Sequence, residues 1–227
     1  MSDWPRFRAV ADHGLLVSFG DEISDTVSAQ VFALDRVLRE TPPEGMTECI
    51  PAMVNLLIDF DPEVTDHAGV QQEVEGRLGH IEDAPVAGQD RVVEVCYDAD
   101  FASDLARVAE ATGLTPDQVI EAHLAGDYRV RMYGFAPGYA YMSGVPEAIR
   151  VPRKSAAVRD VPAGSVIIAG GQCLVTTLTM PTGWSVIGRS PTRILTDDTD
   201  HPFLFDVGDR VRFERVERRA LNGRTDG

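Results

Sequence analysis

No helical period survives beyond Tyr128, and that single change constrains the fold of the 227 residues more than any other feature. From Tyr128 onward the apolar residues come in short β-branched runs: YRVRMY, SVIIAG, CLVTTL, WSVIG, RILT and FLFDVGDRVRFERV. Glycine and proline cut between them. Short strands in such number predict an antiparallel barrel or sandwich, ending in a hairpin. Upstream the pattern differs. Ile23, Val27, Val31, Leu34 and Leu38 recur at helical spacing between Asp21 and Glu40. Val70, Val74, Leu78 and Ile81 form a second stripe, for which Asp61-Pro62 reads as the cap. RFRAV and GLLVSF read as strands joined at Asp12-His13, and TECIPA with MVNLLIDF as a strand pair or one bent strand.

Residues 1–85 therefore predict a small α+β domain. The polar stretch EDAPVAGQD, Glu82 to Asp90, reads as a linker. A mainly β domain is expected over 90–219, with a disordered tail over 220–227. The second domain opens with a strand, RVVEVCY, and two helices. One runs from Phe101 to Thr112 and stops at Gly113. The other starts at Thr115-Pro116, has Gln118 to complete a capping box, and ends at Gly126.

Aspartate and glutamate number 36 against 21 lysines and arginines, a formal net charge of −15. That balance argues against nucleic acid or an anionic membrane as partner. No apolar run reaches the ~20 residues of a membrane span, and MSDWPRFRAV has no apolar signal core. Cys49, Cys96 and Cys173 are far apart and odd in number, which reads as reduced thiols in a cytoplasmic protein. No cysteine or histidine spacing suits a metal, and there is no phosphate-binding P-loop. Lys154, the single lysine, reads as solvated.

One segment resists this bland account. GFAPGYAYMSGVP, Gly134 to Pro146, carries no charge. Gly134, Gly138 and Gly144 permit unusual backbone, while Pro137 and Pro146 stiffen it. Phe135, Tyr139 and Tyr141 can line a pocket or an interface, and so can Trp184 further on. Arg153 and Arg189 suit a carboxylate or phosphate, Gln172 an amide or carbonyl, and Gly170-Gly171 offers backbone N–H groups. Each has a plainer reading. The aromatics serve equally as core, the glycines as turns, the arginines as surface ion-pair partners and Cys173 as a small buried apolar residue. Arg210 and Arg212 read as the wet face of the last strand.

The same segment resembles the G-F-x-P-G-F-x-Y-L-x-G-L-P signature of the allophanate hydrolase subunit 1 family. That family includes KipI and the B component of 5-oxoprolinase, and is similar to half of the carboxyltransferase domain (subdomains C and D) of urea carboxylase. VPRK, VPAGSVIIAGGQ, GWSVIG and PFLFDVGDRVRF follow in the family's order, and LLVSFG and CIPAMVNLLIDFDP precede it. The resemblance implies a small N-terminal α+β domain and a cyclophilin-like barrel. It implies one subunit of a heteromeric ATP-dependent amide or lactam hydrolase, turning 5-oxoproline into glutamate. Its partner would be a companion of the allophanate hydrolase subunit 2 type, equivalent to the C component of 5-oxoprolinase, with a third hydrolase subunit. ATP and its magnesium would be used with the partner, and this chain would hold no tightly bound cofactor. No catalytic residue is assigned. Arg153, Gln172 and Arg189 are expected to converge on one anion pocket with Tyr139, Gly170 and Gly171. Two alternatives stand beside this: an inhibitor of a histidine kinase, as KipI is, and a subunit acting on a urea-derived substrate. The chain departs from the family at CLVTT after Gln172, at PTGW, and at Ala157-Val158 where a second Pro-Arg pair is usual.

Overall fold

The computed structural model describes residues 4–79, 81 and 88–222. The chain divides into two compact units, residues 1–87 and 88–227. The first contains β1 (Arg6–Val10), β2 (Gly14–Ser18), α1 (Asp25–Glu40), β3 (Met46–Pro51), β4 (Asn55–Phe60) and α2 (His67–Leu78). Its strands form one antiparallel sheet in the order β1-β2-β4-β3. Alternate residues Leu56, Ile58 and Phe60 of β4 turn inward with Leu15 and Val17 of β2. They meet Val31, Leu34 and Leu38 of α1 and Val70 and Val74 of α2. Both helices start later than the sequence suggests. Ser24 caps α1 by accepting the Val27 N–H, and Asp66 caps α2 by accepting that of Gly69. Asp61 instead accepts the Glu63 N–H in the preceding turn.

The second unit opens with β5 (Asp90–Val95), α3 (Leu105–Thr112) and α4 (Pro116–Leu124). Gly113 ends α3 in the left-handed region at φ 70°, and Thr115 and Gln118 form the capping box of α4. Then come β6 (Tyr128–Tyr133), β7 (Ala140–Ser143), β8 (Val158–Val161), β9 (Ser165–Ala169), β10 (Gln172–Val175), β11 (Met180–Thr182), β12 (Ser185–Arg189) and β13 (Arg210–Arg215). Seven of these strands make one sheet in the order β12-β9-β10-β7-β6-β13-β5. Cys96 and Arg189 exchange backbone hydrogen bonds of 2.8 and 2.9 Å, joining the two edges of that sheet, so it is nearly closed. β8 and β11 form a separate two-stranded ribbon.

Two sequence expectations change here, and one strand is added. The terminal hairpin does not form: β13 pairs in parallel with β5 and antiparallel with β6. The buried Asp209 carboxylate fixes the preceding turn by accepting N–H groups from Gln89, Asp206 and Arg91. Strand β7 lies inside the uncharged segment, for which the sequence reading names no element. Arg219–Asn222 form a short helix where the tail is expected to begin, and 223–227 lie outside the described residues. The linker reading falls mostly on 82–87, also outside them. Among the described residues no helix is long and apolar enough to cross a membrane.

Candidate functional site

Period-two alternation sorts the central strands onto two faces. Val130, Met142, Cys173 and Ile168 stand in one row across β6, β7, β10 and β9. This face packs against α4. His123 of that helix sits 3.7 Å from the Cys173 sulfur and 2.7 Å from the Tyr97 hydroxyl, beside the rings of Tyr128 and Phe213. Burial drives the His123 pKa down to about 3 and that of the Cys173 thiol up, so both stay neutral. Cys173 is thus a buried apolar group rather than a nucleophile.

The opposite face carries the chemistry. Gln172 pairs with Ser143 on one side and with Ala169 on the other. Ser143 accepts a 2.7 Å hydrogen bond from Nε of Arg131, which is only 7% exposed. Two residues before Ser143, on the same face, Tyr141 meets Trp184 edge-on with ring centroids 5.8 Å apart. The Arg153 guanidinium lies 5.5 Å from the Trp184 ring. Arg150 closes the side near Gly171 and donates from Nε to the Val145 carbonyl at 2.9 Å. An amide, a hydroxyl, an aromatic corner and three guanidinium groups therefore line one continuous strip. Such a strip can bind a small planar acid or amide.

The turn from β6 to β7 borders this strip. Phe135 sits at its tip, 74% exposed and at φ 73°, with its ring tilted over Tyr139. Tyr139 is buried, and its hydroxyl contacts the Met180 sulfur. Thr177 donates to the Pro137 carbonyl at 2.7 Å and pins the turn. Gly144, at φ 110°, is obligatory: a Cβ there would lie 2.0 Å from the Asp127 carbonyl oxygen. Gly138 shapes the turn against Leu195, Thr177 and Ile194, while Gly134 borders the Tyr141 ring.

Arg153 and Gln172 belong to one end of the strip, and Arg189 does not join them. Gln172 faces Ala169 of β9 while Arg189 faces Ser165, four residues away, or about 13 Å along the strand. Convergence of all three therefore fails. Sequence order puts them in neighbouring blocks, but β12 runs antiparallel to β9 and carries Arg189 to the far end. Gly170 also drops out as a donor, because its N–H goes to the Val151 carbonyl at 2.7 Å.

Lys154 is not solvated. Its side chain is 13% exposed, and Nζ lies 2.7 Å from Asp104 Oδ2. The same oxygen accepts the Val186 N–H at 2.8 Å. Arg107 donates to the other Asp104 oxygen and to Ser185 Oγ. Burial raises the Asp104 pKa, but these partners outweigh it and bring the carboxyl below its ordinary value. This cluster escapes sequence reading, as does Arg131, because its members are up to 82 residues apart. Only an arginine inside the strand YRVRMY hints at the second. Among the described residues no three acidic, histidine or cysteine side chains stand together to hold a metal.

Residues 5–205 match the family described as "Carboxyltransferase domain, subdomain C and D". The chain is 37% identical over 221 residues to the B component of 5-oxoprolinase from Bacillus subtilis (strain 168), covering 92% of each. A Haemophilus influenzae protein of the same name is 28% identical and covers 90% of this chain and 94% of its own. Among solved structures, TTHA0988 superposes with a TM-score of 0.80 at 31% identity over 91% of this chain. The chain spans 40% of the length of TTHA0988. The Kluyveromyces lactis urea amidolyase superposes at 0.76 with 15% identity, covering 96% of this chain and 15% of that one, a likeness of fold.

Proposed function

Because the chain belongs to the family of the carboxyltransferase domain, subdomains C and D, we propose that it is one subunit of a heteromeric ATP-dependent amide or lactam hydrolase that opens 5-oxoproline to glutamate. The observation that carries this reading is the 37% identity to a 5-oxoprolinase B component, spread over 92% of both chains. The strip on its cyclophilin-like barrel supports it. A 5-oxoproline-like substrate has one carboxylate and one lactam amide. Gln172 can read the amide, and Arg131, Arg150 or Arg153 the carboxylate. Tyr141 and Trp184 supply the apolar wall against which a five-membered ring packs.

The division of labour follows from what the chain brings. ATP would activate the lactam carbonyl by phosphorylation, with the nucleotide and its magnesium held with the companion subunit. This chain's own residues bind and orient the acid and exclude water from the wall. A third hydrolase subunit would complete ring opening. The exposed Phe135 at the edge of the strip is the natural contact for the companion. That TTHA0988 carries the same fold within a much longer chain supports a site completed by further sequence.

The test is co-expression with a companion of the 5-oxoprolinase C type, followed by ATP hydrolysis with and without 5-oxoproline. Turnover that needs both proteins and rises with 5-oxoproline supports the reading. Turnover by the isolated chain would refute it, as would a complex that never responds to 5-oxoproline. A complex that stops the autophosphorylation of a histidine kinase would favour the inhibitor alternative.

A further inference from the structure

Arg189 closes the barrel with its backbone, yet its side chain is left without a counter-charge. Its N–H and C=O are both tied to Cys96, which fixes where the side chain starts. The side chain makes no hydrogen bond or ion pair to any described residue, and its Nε is buried without a partner. Burial is the single influence on its pKa, which it lowers. A partly buried guanidinium whose Nε is sealed from water, with only an aromatic ring beside it, is a costly arrangement. The chain tolerates it at a defined place. The guanidinium carbon lies 5.8 Å from the Phe101 ring centroid, and that of Arg218 lies 5.0 Å from the same ring. Arg218 is already neutralised by Asp98 and Asp100. Gly164, at φ 80°, brings bare backbone up to the Arg189 stem, where a Cβ would stand 3.3 Å from Cδ. One guanidinium is therefore committed and the other is not. The residue is half-buried, so it remains reachable from solvent.

We propose that Arg189, stacked on Phe101 beside Arg218, is a binding site for a small oxyanion, a carboxylate or a phosphate, at the opposite end of β9 from Gln172. The anion supplies the charge that burial leaves uncompensated, and the planar guanidinium presents paired N–H groups to paired oxygens. The site does not depend on the substrate strip, since the two lie about 13 Å apart along β9.

The experiment titrates the full-length protein with inorganic phosphate and, separately, with acetate, chloride being adjusted to hold ionic strength constant. The readout is the Arg189 Nε–H signal in 15N NMR, assigned by its loss in Arg189→Lys. A saturable shift with phosphate alone identifies a phosphate site. One with acetate alone identifies a carboxylate site, and one with both a general oxyanion site. Thermal unfolding gives a second measure: the bound anion raises the midpoint of the wild type. Arg189→Gln should weaken binding at least roughly tenfold, or 1.4 kcal/mol. Phe101→Leu keeps the charge and removes the stack, and should weaken it less. If neither anion moves the Nε–H signal, the proposal is overturned. It is overturned equally if Arg189→Gln, with its fold intact by circular dichroism, is stabilised by phosphate or acetate as much as the wild type.

Discussion

The two faces of the central strands handle polar groups in opposite ways. On the face that packs against α4, His123 touches Tyr97 and Cys173 away from water, and burial keeps them neutral. On the other face Gln172 alternates with Cys173, and Ser143 and Tyr141 with Met142, one position along the same strands, while Trp184 and Arg153 flank them from the connecting segments. A shift of a single residue separates a group that stabilises the barrel from one that can read a ligand. Met142 and Tyr141 are adjacent, and the first is sealed while the second forms the aromatic corner. Substitutions at neighbouring positions should therefore differ in kind as well as in size.

The largest effect should come from placing a charge on the sealed face. Met142→Asp puts a carboxylate where no water and no cation reach, and should cost more than about 4 kcal/mol. The check is urea unfolding, and a variant that unfolds within about 1 kcal/mol of the wild type would erase the distinction between the faces. Acid should act on the same face. His123 keeps its proton off in the folded chain down to about pH 3 but takes it up near 6.5 once unfolded. The unfolded state then binds more protons across that window, so stability falls as pH drops from 6.5 towards 3. The slope approaches 1.4 kcal/mol per pH unit, or about 4 kcal/mol by pH 3.5. His123→Gln should flatten the slope above pH 4, measured by urea midpoints at stepped pH. Asp104, with its carboxyl held below its ordinary value, adds a loss only at lower pH, as its folded form protonates.

Much of the first unit was legible because its signals are local. The stripe Val27, Val31, Leu34, Leu38 announces α1, and RFRAV and GLLVSF announce β1 and β2. The capping box of α4 was legible for the same reason. What the second unit hid is set by pairing. Nothing local tells FLFDVGDRVRFERV to lie parallel to β5 rather than fold on itself; that choice is made by Asp209, which reaches back about 120 residues to Gln89 and Arg91. Register also decided the site. Gln172 and Arg153 were visible as residue types beside glycine and tryptophan. The antiparallel course that sends Arg189 away, and the bulge that buries Arg131 next to Ser143, were not.

A smaller effect is expected at the edge between the faces. Lys154→Met removes the ammonium from Asp104 and leaves a mostly buried carboxylate on the Val186 N–H and Arg107. The loss should be about 2–3 kcal/mol, below the full cost of breaking a buried pair because two partners survive. Asp104→Asn in the same background should recover part of it. If the double change is no more stable than Lys154→Met alone, the pair is not what holds the segment before β8 against the start of α3.

The smallest change in stability should accompany the largest change in function, and it falls on the strip. Gln172 is half-buried at the start of β10, opposite Ser143 and Ala169, so its backbone bonds survive any side chain. Gln172→Leu keeps the volume and deletes the amide, and should shift unfolding by no more than about 1 kcal/mol. If this amide reads a lactam, its loss leaves the substrate's own polar groups facing an apolar side chain, which costs about 1–3 kcal/mol of recognition. That corresponds to roughly a fivefold to 150-fold fall in kcat/KM of the reconstituted complex, with assembly unchanged. Tyr141→Asp should do the reverse: assembly weakens, because charge enters the uncharged rim beside Phe135, while the isolated chain stays folded. Both variants are scored by co-purification and by 5-oxoproline-dependent ATP hydrolysis. If Gln172→Leu leaves kcat/KM intact, the exposed face is a docking surface throughout, and the acid must be read on the companion. If Gln172→Leu instead unfolds the chain as Met142→Asp does, the alternation does not divide structure from recognition at all.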